Sequence, residues 1–122
     1  IELADEINLG MPTYFVGRAS EILGGLKDKK VLVIGVSYKP NVADTRETPA
    51  ASVIDLLRAQ GANVVWHDDL VGSWKGQSST PLGGADIAIV VTLHDGVDKK
   101  AVLASAPYVF DTTGSISGVR GL

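Results

Sequence analysis

Four consecutive aliphatic residues, Val31-Leu32-Val33-Ile34, stand between a lysine pair and Gly35. A run this short, apolar at every position rather than at alternate ones, suits a strand covered on both faces, as inside a parallel sheet. Such a strand needs helical crossovers, and the downstream pattern supplies one. Pro49 to Gln60 carries Ala50, Val53, Ile54, Leu56 and Leu57 at helical spacing and stops at Gly61. Asn63-Val64-Val65-Trp66-His67 then reads as a second strand, completing a strand, helix, strand unit.

A third strand, Ile87 to Val91, follows the Gly83-Gly84 turn, and a helix around Lys99 to Ala104 leads into a fourth strand at Tyr108-Val109-Phe110. This alternation predicts an α/β fold with a doubly wound, mainly parallel, Rossmann-like sheet. Helical segments should precede it. Leu3, Ile7, Tyr14, Phe15, Ala19, Ile22, Leu23 and Leu26 recur at helical spacing, with Gly10 and Pro12 as interruptions, which predicts two helical pieces ended by Gly24-Gly25. The Gly/Ser-rich stretch from Asp68 to Gly84 reads as a surface excursion, and the tail after Gly114 as loose.

At 122 residues the chain has room for one ordinary core. Its 45% hydrophobic and 20% charged residues place it among folded rather than disordered chains. It begins at Ile1 with no signal-peptide pattern, so its natural start is expected upstream. No apolar run approaches a bilayer-spanning length, and no membrane role is expected. A net charge of −3, spread along the chain, argues against nucleic acid as a partner. Zero cysteines exclude disulfides, thiolate metal sites and a cysteine nucleophile within this chain.

Ligands of doubly wound sheets gather at the carboxyl ends of the strands, which draws attention to residues 35–49. Here Gly35 lets backbone approach closely, Lys39 offers a point charge and Arg46 a planar fork, and a helix opens near Thr48. A phosphate-rich ligand would use all of these. Generic physics also allows a plainer account, in which Lys39 and Arg46 are solvated and Asp44 pairs with Arg46 at the surface. The dinucleotide fingerprint is absent, because G-x-G-x-x-G would need glycine where Ser37 and Pro40 stand. Asp68 or Asp69 could mimic a ribose-binding acid, but they follow Gly35 by too many residues. His67 and His94 read as structural rather than as metal ligands, Trp66 as packing, and Trp74 as surface or partner-facing.

The string Lys30-Val31-Leu32-Val33-Ile34-Gly35-Val36-Ser37-Tyr38-Lys39-Pro40, followed by Asp44-Thr45-Arg46-Glu47-Thr48-Pro49, resembles the opening of the carboxy-terminal domain of the UDP-glucose/GDP-mannose dehydrogenase family. Met11-Pro12 and Tyr14-Phe15-Val16 upstream, with Ala85-Asp86, Thr92-Leu93-His94 and Val109-Phe110-Asp111 downstream, fall in that family's order. The resemblance implies that residues 1–26 end a central helical domain and that residues 27–122 form a UDP-sugar-binding domain. It further implies an NAD-dependent UDP-sugar 6-dehydrogenase, of the UDP-glucose or UDP-N-acetylmannosamine type, that serves polysaccharide biosynthesis in the cytoplasm. Such an enzyme oxidises a sugar C6 alcohol to the carboxylate. A cysteine outside this chain would carry that chemistry, so the chain alone should be inactive.

By the same resemblance, Tyr38 and Lys39 match the substrate-binding pair and Arg46 the residue that reaches NAD, which is held mainly by a missing amino-terminal domain. The implied partners are UDP-sugar, NAD, the amino-terminal and central domains, and a second copy in a homodimer. Asp44 and Glu47 should shape the loop and orient Arg46, and Thr48 and Pro49 should start the helix. One departure stands out. Many members carry an arginine just after the aspartate that ends the last strand, whereas Asp111 is followed by Thr112-Thr113-Gly114, with Arg120 a distant substitute. The alternative from another class is a non-catalytic α/β ligand-binding or receiver-like module, though the acids here follow the second strand rather than the first.

Overall fold

The computed structural model describes residues 2–46 and 48–113, with residues 2–11 as backbone alone. Nine elements follow in order: α1 Glu2–Leu23, β1 Lys30–Ile34, α2 Pro49–Ala59, β2 Asn63–His67, β3 Ser73–Trp74, β4 Gln77–Ser78, β5 Ile87–Val90, α3 Lys99–Ala104 and β6 Tyr108–Asp111. The four longer strands form one parallel sheet in the order β2-β1-β5-β6. The expected fold class and all four expected strands are therefore present.

Strand alternation sorts the aliphatic run into two cores. Val31 and Val33 join Val64, Trp66, Ile87, Ile89 and Phe110 under α1 and α2. Leu32 and Ile34 join Ala88, Val90 and Val109 on the opposite face, against Val102 of α3. Every residue from Val31 to Ile34 is thus buried, and a fully buried aliphatic side chain contributes roughly 1.5–3 kcal/mol. That is why the run is apolar throughout instead of alternating.

Helix α2 starts and stops as its sequence dictates. The Thr48 hydroxyl accepts the Ala50 N–H at 3.2 Å, Pro49 occupies the first turn, and Gly61 follows the end at φ 89°. Its buried stripe is Ala50, Val53, Ile54 and Leu57.

Two expectations need correction. The segment before β1 is one helix, with Pro12 inside it, rather than two pieces. An interior proline costs roughly 3 kcal/mol. Burial of Phe15, Val16 and Ala19 beyond it, including an edge-on contact of Phe15 with Phe110 at 5.5 Å, offsets that cost. Tyr14, which shares the apolar spacing, points outward and is 59% exposed. The helix ends at the glycine pair, where the Gly25 N–H bonds the Ser20 carbonyl at 2.9 Å in a Schellman-type closure.

The stretch after Asp68 is also more ordered than its composition suggests. Strands β3 and β4 pair antiparallel around Lys75-Gly76, both at positive φ as a type I′ hairpin turn requires. Trp74 packs edge-on against buried Trp66 at 6.0 Å and belongs to the core's margin. The tail after Gly114, Glu47 and Arg120 lie outside the described residues.

Candidate functional site

Strands β1 and β5 are neighbours, yet the chain leaves β1 toward β2 on one side and leaves β5 toward β6 on the other. The sheet's topological switch therefore lies between them, and a crevice opens outside their carboxyl ends. Residues 35–41 and 91–95 border it.

Gly35 sits at φ 86°, and a Cβ there would meet the Thr92 carbonyl oxygen at 1.9 Å. Its freedom thus serves the close approach of the two loops to each other, where the sequence alone suggested approach to a ligand. The Ser37 carbonyl then accepts hydroxyl bonds from Thr48 at 3.2 Å and from Thr92 at 3.0 Å, anchoring the start of the turn.

A buried polar knot joins the three loops at this end. Asp68, 1% exposed, closes β2. Its carboxylate accepts the Val36 N–H at 2.9 Å, the Leu70 and Val71 N–H groups at 3.0 and 3.1 Å, and His94 Nε2 at 2.9 Å. Burial pushes the Asp68 carboxyl up, but the hydrogen bonds from His94, Val36 and Val71 outweigh it, and the net displacement is downward. On the other ring nitrogen, His94 Nδ1 accepts the Asn41 N–H at 2.8 Å. Asn41, at φ 66°, also accepts the Asp95 N–H on its side-chain oxygen at 2.9 Å. A depression of about 300 Å³ lies beside this knot, lined by Asn41, Asp69, Leu70, His94, Gly96 and Val97.

The three residues singled out from the sequence ride on the turn itself. Tyr38 is 51% exposed and Lys39 is exposed. Arg46 has a side chain 87% exposed that forks onto Asp44, with Nη2 at 2.8 Å and Nε at 3.0 Å from the carboxylate oxygens. The Arg46 guanidinium, and then its backbone N–H, hold the Asp44 carboxyl down at about 2. Asp44 pairs with Arg46 at the surface, a contact that both the plainer account and the loop-shaping expectation contain. The structure puts all three residues on one turn at the switch point, but none of them lines the depression beside His94.

His67 and His94 are both structural in their contacts. His67 Nδ1 meets the Thr80 carbonyl at 2.7 Å, so that nitrogen carries the proton. The Asp68–His94 pair spans 26 positions, and no local motif links its members. The one available signal was the aspartate ending β2, which is sealed in the knot and open neither to a ribose nor to phosphorylation. Among the described residues no cluster of three His, Cys, Asp or Glu side chains could hold a metal ion. Among them, too, no helix is long and apolar enough to cross a membrane. At the far edge, Asp111 accepts both the Thr113 N–H and its hydroxyl, closing β6 locally.

A parallel, doubly wound sheet with helices on both faces defines the class: a Rossmann-like α/β domain, with a cationic turn at its switch point. Residues 32–117 match the UDP-glucose/GDP-mannose dehydrogenase family, UDP binding domain, and the chain belongs to that family as this carboxy-terminal domain. A UDP-N-acetyl-D-mannosamine dehydrogenase of Methanococcus maripaludis is 35% identical over 92% of this chain and 29% of its own length. Among solved structures, the UDP-N-acetyl-mannosamine dehydrogenase Cap5O from S. aureus superposes with a TM-score of 0.75 at 25% identity, over 96% of this chain and 30% of that one. A UDP-glucose dehydrogenase from Pyrobaculum islandicum gives 0.70 at 30% identity, over 87% and 27%. The chain therefore spans less than a third of each of these relatives.

Proposed function

We propose that this chain is the nucleotide-sugar-binding domain of an NAD-dependent UDP-sugar 6-dehydrogenase, in which it closes over a substrate that other domains also grip. The observation that carries the proposal is the placement of Tyr38, Lys39 and Arg46 on one exposed turn, pinned at the sheet's switch point. The names of the relatives support a UDP-sugar in particular.

Each side chain suits its part. The Tyr38 ring offers a face for packing on a ring, and the Lys39 ammonium can neutralise phosphate or bond hydroxyls. The Arg46 fork fits a pyrophosphate. One of its present partners is the partly exposed Asp44 carboxylate, a contact that solvent already weakens. This chain fits only one reach toward NAD, because it lacks the glycine fingerprint that would cradle a whole dinucleotide.

The chemistry NAD would supply is hydride acceptance, one hydride to each of two NAD molecules in turn, with water providing the second oxygen of the carboxylate. The residues of this chain bind and orient, and none is assigned a proton transfer or a covalent bond. With zero cysteines it cannot supply the thiol on which the aldehyde would be held. Residues 1–26, on this reading, carry the end of a central helical domain into the sheet, and the whole protein is a cytoplasmic homodimer.

In the full-length enzyme, Arg46→Ala should raise the KM for NAD by about tenfold, the loss expected for one charge-assisted fork, with the KM for UDP-sugar little changed. Steady-state kinetics with each substrate varied in turn checks this. An unchanged KM for NAD would remove Arg46 from the cofactor's side of the cleft.

A further inference from the structure

Between Ser37 and Asp44 the turn has little apolar anchorage: Tyr38, Lys39, Pro40 and Asn41 are all exposed. Several of its hydrogen bonds are internal. The Tyr38 N–H donates to the Asp44 carbonyl, and the Ser37 hydroxyl to the Lys39 carbonyl at 2.9 Å. Such bonds shape the turn without fixing where it stands. Its tip is tied to the rest of the protein at Asn41, through His94 Nδ1 and the Asp95 N–H.

The geometry also determines which ring form of His94 can do this. A backbone N–H only donates, so Nδ1 must present a lone pair to Asn41. The Asp68 carboxylate already accepts three backbone N–H groups and takes Nε2 at 2.9 and 3.0 Å, so Nε2 must carry the proton. The Nε2–H tautomer is the one form that satisfies both neighbours. Asp68 selects it from inside the fold, and Asn41 reads it at the surface.

We infer that His94 is a positioning residue for nucleotide-sugar binding: set in its Nε2–H form by Asp68, it holds the tip of the turn that carries Tyr38 and Lys39. This rests on the reading of that turn as the ligand's seat. On this inference His94 acts through the turn rather than on the ligand. It removes the entropy the turn would otherwise lose on binding, so its effect falls on affinity rather than on the chemical step.

In the full-length enzyme, His94→Ala should raise the KM for UDP-sugar about tenfold or more while kcat stays within about threefold, the pattern of lost uniform binding. His94→Gln, whose amide carries an acceptor and a donor side by side, should return KM to within about threefold of the parent. A lowered melting temperature with an unchanged KM in His94→Ala would reduce the residue to a structural part and overturn the inference. Lys39→Ala, assayed alongside, separates the two levels. A raised KM there with a normal KM in His94→Ala refutes the positioning role alone, and normal values in both refute the seat as well. Should His94→Ala fail to fold, hydrogen exchange in the unaltered enzyme decides. The exposed Asn41 amide should exchange slowly, and exchange at the rate of an unstructured chain overturns the tether.

Discussion

Two carboxylates near the carboxyl ends of the sheet accept hydrogen bonds from nitrogen donors at nearly the same distance, yet they do opposite work. Asp68 meets His94 at 2.9 Å with side chains 0% and 7% exposed, and Asp44 meets Arg46 at 2.8 Å with side chains 38% and 87% exposed. Water competes for the second pair and not for the first. In the knot the buried Val36 N–H and His94 Nε2 would be stranded if the Asp68 carboxylate left, which makes those bonds costly to break. At the surface the contact between the Arg46 fork and Asp44 is screened by solvent and contributes little. On the proposed function the two pairs divide the work: the buried one frames the loops, and the exposed one lies on the turn that would meet the ligand.

The largest effect should come from breaking the frame. Asp68→Asn discards the charge and turns one acceptor into a donor among the Val36, Leu70 and Val71 N–H groups and His94 Nε2. We expect a loss on the order of 3 kcal/mol, read as a melting temperature lower by roughly 10 °C or more. A change of a degree or two would show that water already shares the knot.

Acid should reach the same bonds more gently. The Asp68 carboxyl lies below its ordinary value in the folded chain, so the unfolded chain takes up its proton first as pH falls. The stabilisation is complete above about pH 4 and is lost below it, as pH drops through the depressed folded value. Thermal melts from about pH 7 to about pH 3 should therefore show a fall that is shallower in Asp68→Asn than in the parent. Parallel curves would mean that other carboxylates govern acid unfolding.

The smallest effect belongs to the exposed pair. Although Asp44 is held at about 2 by Arg46, solvent screens the contact, and Asp44→Asn should leave the melting temperature unchanged within error. A loss matching that of Asp68→Asn would erase the contrast between the two sites.

How much of this was legible beforehand follows from the range of the interactions involved. The sheet strands, the α2 cap at Thr48 and the stop at Gly61 rest on patterns a few residues long, and the sequence displays them directly. Asp44 and Arg46 are two positions apart, so their pairing was readable too. Asp68, His94 and Asn41 meet only because β1, β2 and β5 lie side by side, and that contact has no local signature. The β3–β4 hairpin was hidden for another reason, since its strands are two residues each and too short for an alternation to register. Pro12 misled in the opposite sense. A local rule marked a break, and burial of the helix beyond it prevailed.

On the proposed function, the turn leaving β1 grips the diphosphate of a nucleotide sugar. Calorimetric titration of UDP into the full-length protein and its Lys39→Ala variant, at matched low salt, tests it most directly. Binding should be at least about tenfold weaker in the variant, the loss of one ammonium–phosphate contact, with the fold intact by circular dichroism. Equal affinities would place the diphosphate elsewhere and remove Lys39 from the seat.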